Sequence, residues 1–192
     1  MPNEQPAPRE QDGKPSAIVT TDALYTAKQM GDAGEMLVAA ELTLHGVPAL
    51  TVPANWPGYD IVAQPRRGWP DFKDGDLTLS LAQRISVKTR TFAQSGHFVG
   101  FDHDDEFDWL AIVLLPGAHL AGRRVFIVPR QVAMQRSYEA KRGDTIGRGF
   151  FVHKLVLPPP EQMQGPPPPG GWGLADYEDN FELRLSPLRQ PL

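Results

Sequence analysis

Arg84-Ile85-Ser86-Val87-Lys88-Thr89 is the stretch on which the fold turns. Apolar and polar residues alternate along it with period two. It therefore reads as a strand with Ile85, Val87 and Thr89 on one face and Ser86 and Lys88 on the other. Moving back toward the N-terminus, Tyr59-Asp60-Ile61-Val62-Ala63 is a second apolar run, and residues 48–52 are a third. Ahead of them, Thr21 or Asp22 is a candidate N-cap for a helix running to about residue 45, closed by Gly46 and Pro48. Leu24, Ala27, Gly31, Gly34, Val38, Leu42 and His45 recur along it at helical spacing, and Glu35 falls on the same stripe. Glutamate is seldom buried, so a carboxylate there is unusual. Gly31 and Gly34 would let a neighbouring backbone approach closely.

Moving forward, residues 65–75 form a loop rich in Gly, Pro and charge, and residues 77–81 suit an edge strand. Residues 107–115 are almost wholly apolar and predict a buried central strand. After a turn at 117–123 comes a strand at 124–128, stopped by Pro129, then a short helix over 131–141 and a last strand over 150–157. The predicted fold is α/β, with a mixed central β-sheet flanked by helices on both sides. Residues 1–20 are polar and Pro-rich and read as a disordered tail, and 21–157 as the folded domain. Residues 158–171 read as a Pro/Gly linker. Residues 172–192 read as a C-terminal tail whose Trp172, Tyr177, Phe181, Leu183 and Leu185 suit docking on the domain, on a second copy or on another protein.

Composition narrows the classes. The 192 residues suit one domain with tails, and the absence of cysteine excludes disulfides, thiolate zinc sites and cysteine nucleophiles. The first residues lack the apolar run of a signal peptide and no stretch of membrane-spanning length is apolar, so a cytoplasmic protein is expected. The net charge is −4, of which residues 158–192 contribute −3 and residues 1–20 contribute −1, leaving the middle of the chain neutral. Phosphate binding then requires a local basic patch. Arg66, Arg67, Arg84 and Arg90, with Arg123, Arg124 and Arg130 further on, are the candidates for contacts to a nucleic-acid backbone; ordinary surface arginine is the bland alternative. The five histidines, His45, His97, His103, His119 and His153, show no metal-ligand spacing.

An early helix bearing Glu35, then strands bearing Asp60 and Lys88, suits metal-assisted phosphodiester hydrolysis. Asp60 would ligate Mg²⁺, a cation that prefers oxygen, with the backbone carbonyl of Val87 beside it and Glu35 acting through a metal-bound water. Lys88 would orient the attacking water and stabilise the developing phosphorane charge.

The pieces that carry a family resemblance are Gly34-Glu35-Met36-Leu37-Val38, Gly58-Tyr59-Asp60-Ile61-Val62 and Ile85-Ser86-Val87-Lys88-Thr89. The apolar run 107–113 and the strand 124–129 follow them in order. Over about residues 22–140 this pattern resembles the PD-(D/E)XK, restriction-endonuclease-like superfamily. The resemblance implies an αβββαβ core, Mg²⁺ or Mn²⁺ as cofactor, and DNA as the substrate, with RNA second. It also implies a catalytic set of Glu35, Asp60, Ser86 and Lys88.

Serine at position 86 departs from the pattern, because the family places Asp, Glu or Gln there. A neutral, short side chain is a poor Mg²⁺ ligand. Three alternatives stay open. The site is degenerate and the protein is a pseudonuclease, binding nucleic acid or protein in a defence, mobile-element or regulatory complex. Or the carboxylate has moved, to Glu41 or to the acidic run Asp102, Asp104, Asp105 and Glu106. Or Asp60, Glu35 and the Val87 carbonyl suffice, with Ser86 acting through water. The bland account of the pair Asp60 and Lys88 is a salt bridge.

Overall fold

The computed structural model describes residues 26–53, 56–65, 82–91, 98–115, 122–142, 145–156 and 173–185. The anticipated strand at 77–81, most of the 65–75 loop, Arg66, Arg67, the linker and the N-terminal tail lie outside the described residues.

Helix α1 spans Ala27–Leu44 and starts later than the spacing of its apolar residues suggests. Thr26 is the N-cap. Its hydroxyl accepts from the Gln29 backbone N–H, and the Gln29 side chain accepts from the Thr26 N–H, so two helix-end donors are satisfied reciprocally. His45 caps the other end and Gly46 turns the chain with φ 83°. Gly34, Val38 and Leu42 face inward, as the stripe requires.

Strands β1 (Ala49–Thr51), β2 (Ile61–Ala63) and β3 (Gln83–Thr91) form an antiparallel meander. β4 (Phe98–Asp102) leaves this sheet, and β5 (Trp109–Leu115) returns to pair parallel with β3. β6 (Arg124–Pro129) pairs antiparallel with β5, giving a mixed five-stranded sheet of order β1-β2-β3-β5-β6. Helix α2 (Arg130–Arg136) follows at once. β7 (Tyr138–Arg142) and β8 (Thr145–Phe151) join β4 in a second, antiparallel sheet of order β4-β8-β7.

The α/β fold with a mixed central sheet flanked by helices is thus what forms. α1 covers one face, where Val38, Leu42, Ile61, Ile85, Val87, Trp109, Ala111 and Ile127 make one core. α2 and the second sheet cover the other, where Val99, Phe101, Phe107, Leu110, Ile112, Phe126, Ala133 and Phe150 make a second. β5 lies between both layers, which is why its run is apolar without alternation.

Three further elements differ from their sequence expectation. The helix expected over 131–141 ends at Arg136, because Ser137 is extended (φ −74°, ψ 152°) and residues 138–142 go into β7. The last strand ends at Phe151, and Val152–Lys154 is a 3₁₀ turn. Residues 98–102 were expected in no element and form β4.

Residues 173–185 wrap the outer edge of β6. Leu174 and Tyr177 are buried in the second core, whereas Phe181 and Leu183 are buried in the first. Between them Glu178 bridges Phe126, and the Asp179 N–H donates to the Val125 carbonyl at 2.8 Å. Arg124 grips Glu178 with two hydrogen bonds of 2.6 Å. Arg136 holds Asp176 through bonds of 2.7 and 3.0 Å in a nearly water-free setting.

Candidate functional site

Asp60 sits where β2 begins to part from β3. Its N–H donates to the Ile85 carbonyl at 2.9 Å, and its Oδ2 accepts from the Val87 N–H at 2.6 Å. The carboxylate therefore replaces a ladder partner and is fixed in the plane of the sheet. Gly58 has φ 88°, and a Cβ built on it would stand 3.2 Å from the Glu106 backbone nitrogen, so glycine shapes the approach. In an antiparallel pairing one residue's N–H and C=O point to the same neighbour. Since the Val87 N–H points to Asp60, the Val87 carbonyl opens on that side too, beyond Ile61, the first residue of β2.

Glu35 reaches this place from α1 because the helix lies very close to β3. A Cβ built on Gly34 would overlap the Thr89 hydroxyl and stand 3.0 Å from the Thr89 Cβ. The next residue, Glu35, is half-buried. Burial first, then the charges of Asp60 and Asp32, push its carboxyl above the ordinary value, while Lys28 and Lys88 pull the other way. Among the described residues Glu35 has no ion-pair partner.

Lys88 also forms no hydrogen bond or salt bridge among the described residues, so the bland pairing with Asp60 is absent there. Register settles the faces of β3. Ile85, Val87 and Thr89 lie beside Trp109, Ala111 and Val113, on the α1 side. Ser86 and Lys88 lie beside Leu110 and Ile112, on the other. Ser86 is 1 % exposed, and Lys88 is half-buried.

Three of the alternative carboxylates have partners elsewhere. Glu41 pairs with Arg123. Glu106 pairs with Arg84, and Asp105 accepts from the Asp102 N–H. Asp108 is a structural acceptor. It takes the Arg84 N–H at 2.8 Å and the Arg84 guanidinium at 3.2 Å. Nothing in local sequence marks this pair, whose members are 24 residues apart. Arg90 donates to the carbonyls of its own neighbour Thr89 and of Phe98. Arg130 donates to the His103 carbonyl and Arg124 is taken by Glu178.

The donor set tests what cation would fit. Among the described residues no group of three or more His, Cys, Asp or Glu side chains converges as a metal cage. Asp60 and Glu35 lie within electrostatic reach of each other and repel, and the Val87 carbonyl opens on the Asp60 side. Mg²⁺ is ordinarily held by one or two carboxylates plus waters and substrate phosphate, not by an all-protein cage. Two oxygen donors and a mutual repulsion to relieve suit that kind of site.

No family model matches the chain, and no curated protein matches it. Among solved structures, a bacterial homing endonuclease, I-Ssp6803I, aligns at 13% identity and TM-score 0.47, covering 84% of this chain and 93% of that one. The Holliday junction resolvase Hjc of Archaeoglobus fulgidus aligns at 16% identity and TM-score 0.32, covering 63% of this chain and 98% of that one. Among the described residues no helix is long and apolar enough to cross a membrane.

Proposed function

We propose that this chain is an endonuclease-like protein that hydrolyses DNA phosphodiester bonds with a divalent metal, RNA being the lesser substrate. The observation that carries this is the state of three groups around the β2–β3 edge. Asp60 is pinned by the Val87 N–H, Glu35 is raised by burial and by Asp60, and Lys88 has no salt-bridge partner among the described residues. A purely structural lysine would be expected to pair with the neighbouring acids.

Asp60 and the Val87 carbonyl would hold Mg²⁺ or Mn²⁺ directly, and Glu35 would do so through water. Bound there, the metal supplies Lewis-acid stabilisation of the phosphoryl oxygen and lowers the pKa of a water. Lys88 would donate to the oxygen on which charge develops and orient the attacking water. Ser86 would contribute through water at most, since it is buried against the second core. Arg90 would contact the phosphate backbone with the donors it does not spend on carbonyls. Arg84 would do so only by giving up Asp108 and Glu106. Arg66 and Arg67 complete the proposed contacts.

A second proposal is favoured by Ser86 itself. A buried serine in place of a carboxylate suits a pseudonuclease that binds nucleic acid or protein without cleaving. Nicking of supercoiled plasmid by the purified chain, with Mg²⁺ or Mn²⁺, separates the two. Cleavage that vanishes in Asp60→Asn supports the enzyme; cleavage retained in that variant sinks the site.

A further inference from the structure

The outward face of the second sheet has a floor without side chains. Register sets Gly100 opposite Gly149 and Asp102 opposite Gly147. β7 lays Tyr138 beside Gly149 and Ala140 beside Gly147. Strand alternation puts Phe98, Gly100, Gly149, Phe151 and Tyr138 on this one face. Val99, Phe101 and Phe150 point the other way, into the second core.

The Phe98 ring lies across the bare strand. A Cβ built on Gly149 would meet the Phe98 Cζ at 2.5 Å and Cε1 at 2.6 Å, and one on Gly100 would meet Cε1 at 3.5 Å. Glycine at 149 admits both the Val99 carbonyl, which the same Cβ would overlap, and the ring. Phe151 stands beside it, with centroids 5.4 Å apart and planes at 69°. Tyr138 is 6.4 Å and His153 5.8 Å from the Phe151 ring. These rings are not core. Tyr138 is 43% exposed, His153 is exposed, and Phe98 and Phe151 are half-buried.

The bland account is cross-strand packing, since Phe98 and Phe151 are register partners. Two observations go further. First, the cluster adjoins the proposed site: the Arg90 Nε donates to the Phe98 carbonyl at 3.4 Å. Lys88 is two residues from Arg90 on the same face of β3, about 7 Å along the strand. Second, the chain between residues 21 and 157 carries no net charge. With Arg84, Arg123 and Arg124 held by carboxylates, few of the described candidate arginines are left for phosphate, and affinity for a polyanion needs another source. Aromatic faces supply one, because each unpaired base has a π-face to stack.

We infer that Phe98, with Phe151, Tyr138 and His153 around it, is a stacking platform for unpaired bases of a strand whose backbone passes Arg90 and Lys88. This rests on the nucleic-acid function proposed above and adds the substrate class to it. In a duplex the base faces are already stacked on one another and unavailable. The platform therefore selects single-stranded or locally unpaired DNA over fully paired duplex, with a shallower salt dependence than a purely electrostatic binder shows.

The test is fluorescence anisotropy of the full chain with a labelled oligo-dT, a mixed-sequence single strand and the matching blunt duplex, all in EDTA so that no cleavage intervenes. Single strands are expected to bind about tenfold or more tighter than duplex. Phe98→Leu and Tyr138→Leu should each weaken single-strand binding about tenfold while leaving duplex binding unchanged, and Phe98→Trp should restore it. Tyr138→Leu, at an exposed position, keeps the test alive if Phe98→Leu fails to fold. Equal affinity for single strand and duplex overturns the platform, as does unchanged single-strand affinity in both leucine variants, the result expected if the rings dock a protein instead. Plasmid nicking distinguishes this failure from failure of the nuclease function. Nicking with no stacking preference sinks the platform alone; a stacking preference without nicking sinks catalysis alone.

Discussion

Gly34 of α1 lies against Thr89 of β3 so closely that a side chain at 34 has no room, its first carbon standing 3.0 Å from the Thr89 Cβ and overlapping the hydroxyl. The Thr89 Oγ1 is buried and has no hydrogen-bond partner among the described residues. This approach brings Glu35, the next residue of α1, within electrostatic reach of Asp60.

Gly34→Ala should therefore lower stability despite improving helix propensity. Overpacking costs about 1–3 kcal/mol, and alanine in place of a helical glycine returns about 1 kcal/mol. A net loss of about 1 kcal/mol in urea unfolding is expected. Thr89→Ala removes the overlapping hydroxyl and should rescue most of it. Additive losses in the double variant would show that the two residues do not limit each other.

Asp60→Asn keeps an acceptor for the Val87 N–H but removes the charge. Exchanging a charged for a neutral hydrogen bond should cost about 1 kcal/mol, with the fold retained by circular dichroism and nicking lost. Lys88→Ala touches no hydrogen bond among the described residues and should leave the melting temperature nearly unchanged. Its nicking rate should fall about 100- to 1,000-fold, the usual effect of losing one charge-stabilising donor. A melting temperature that drops with Lys88→Ala would indicate a structural lysine.

Glu35 makes stability depend on pH in a defined direction. Its carboxyl is raised by burial and by Asp60 and Asp32, so the folded state holds the proton more tightly than the unfolded state. Stability should fall as pH rises from the ordinary glutamate value through the raised one, and the penalty is complete above that. Glu35→Gln should melt higher than the parent at pH 7 and lose this advantage in acid, where Glu35 is protonated in both states. Adding Mg²⁺ should raise the parent's melting temperature more than that of Glu35→Gln, because the cation relieves the repulsion. Equal shifts in both proteins would remove Glu35 from the proposed metal site.

Arg136 and Asp176 form an ion pair with side chains only 9% and 10% exposed, tying α2 to the C-terminal segment. Removing one member of such a pair costs about 3–5 kcal/mol, since the other stays charged in a dry place. Asp176→Ala should expose residues 173–185 to limited proteolysis and to fast hydrogen exchange. Protection unchanged from the parent would show that burial of Leu174, Tyr177, Phe181 and Leu183 holds the segment without the pair.

Much of the central sheet was legible because its signals are local. The alternation around Val87, the apolar run of β5 and the stripe on α1 each report their own surroundings. β4 escaped notice because its outward positions are Phe98 and Gly100, and a glycine there erases the alternation that Val99 and Phe101 begin. Tyr138-Glu139-Ala140-Lys141 suits helix or strand, and the extended Ser137 decides for β7. At the site, Glu35, Asp60 and Lys88 stand out as residue types. The grip of the Val87 N–H on Asp60 and of Asp108 on Arg84 depends on strands 24 or more residues apart, which no local pattern encodes.

The segment that crosses the β6 edge has a consequence for biosynthesis. Translation proceeds from the N-terminus, so β6 leaves the ribosome before residues 173–185, which bring Leu174 and Tyr177 to one core and Phe181 and Leu183 to the other. During that interval the outermost strand is an open template for another nascent chain, and Val125 and Phe126 lie on it. Cells making this protein quickly should accumulate aggregates seeded at that strand, and slower synthesis or a trigger-type chaperone should suppress them. Residues 173–185 thus act as a late closure, made after the strand whose edge they cover.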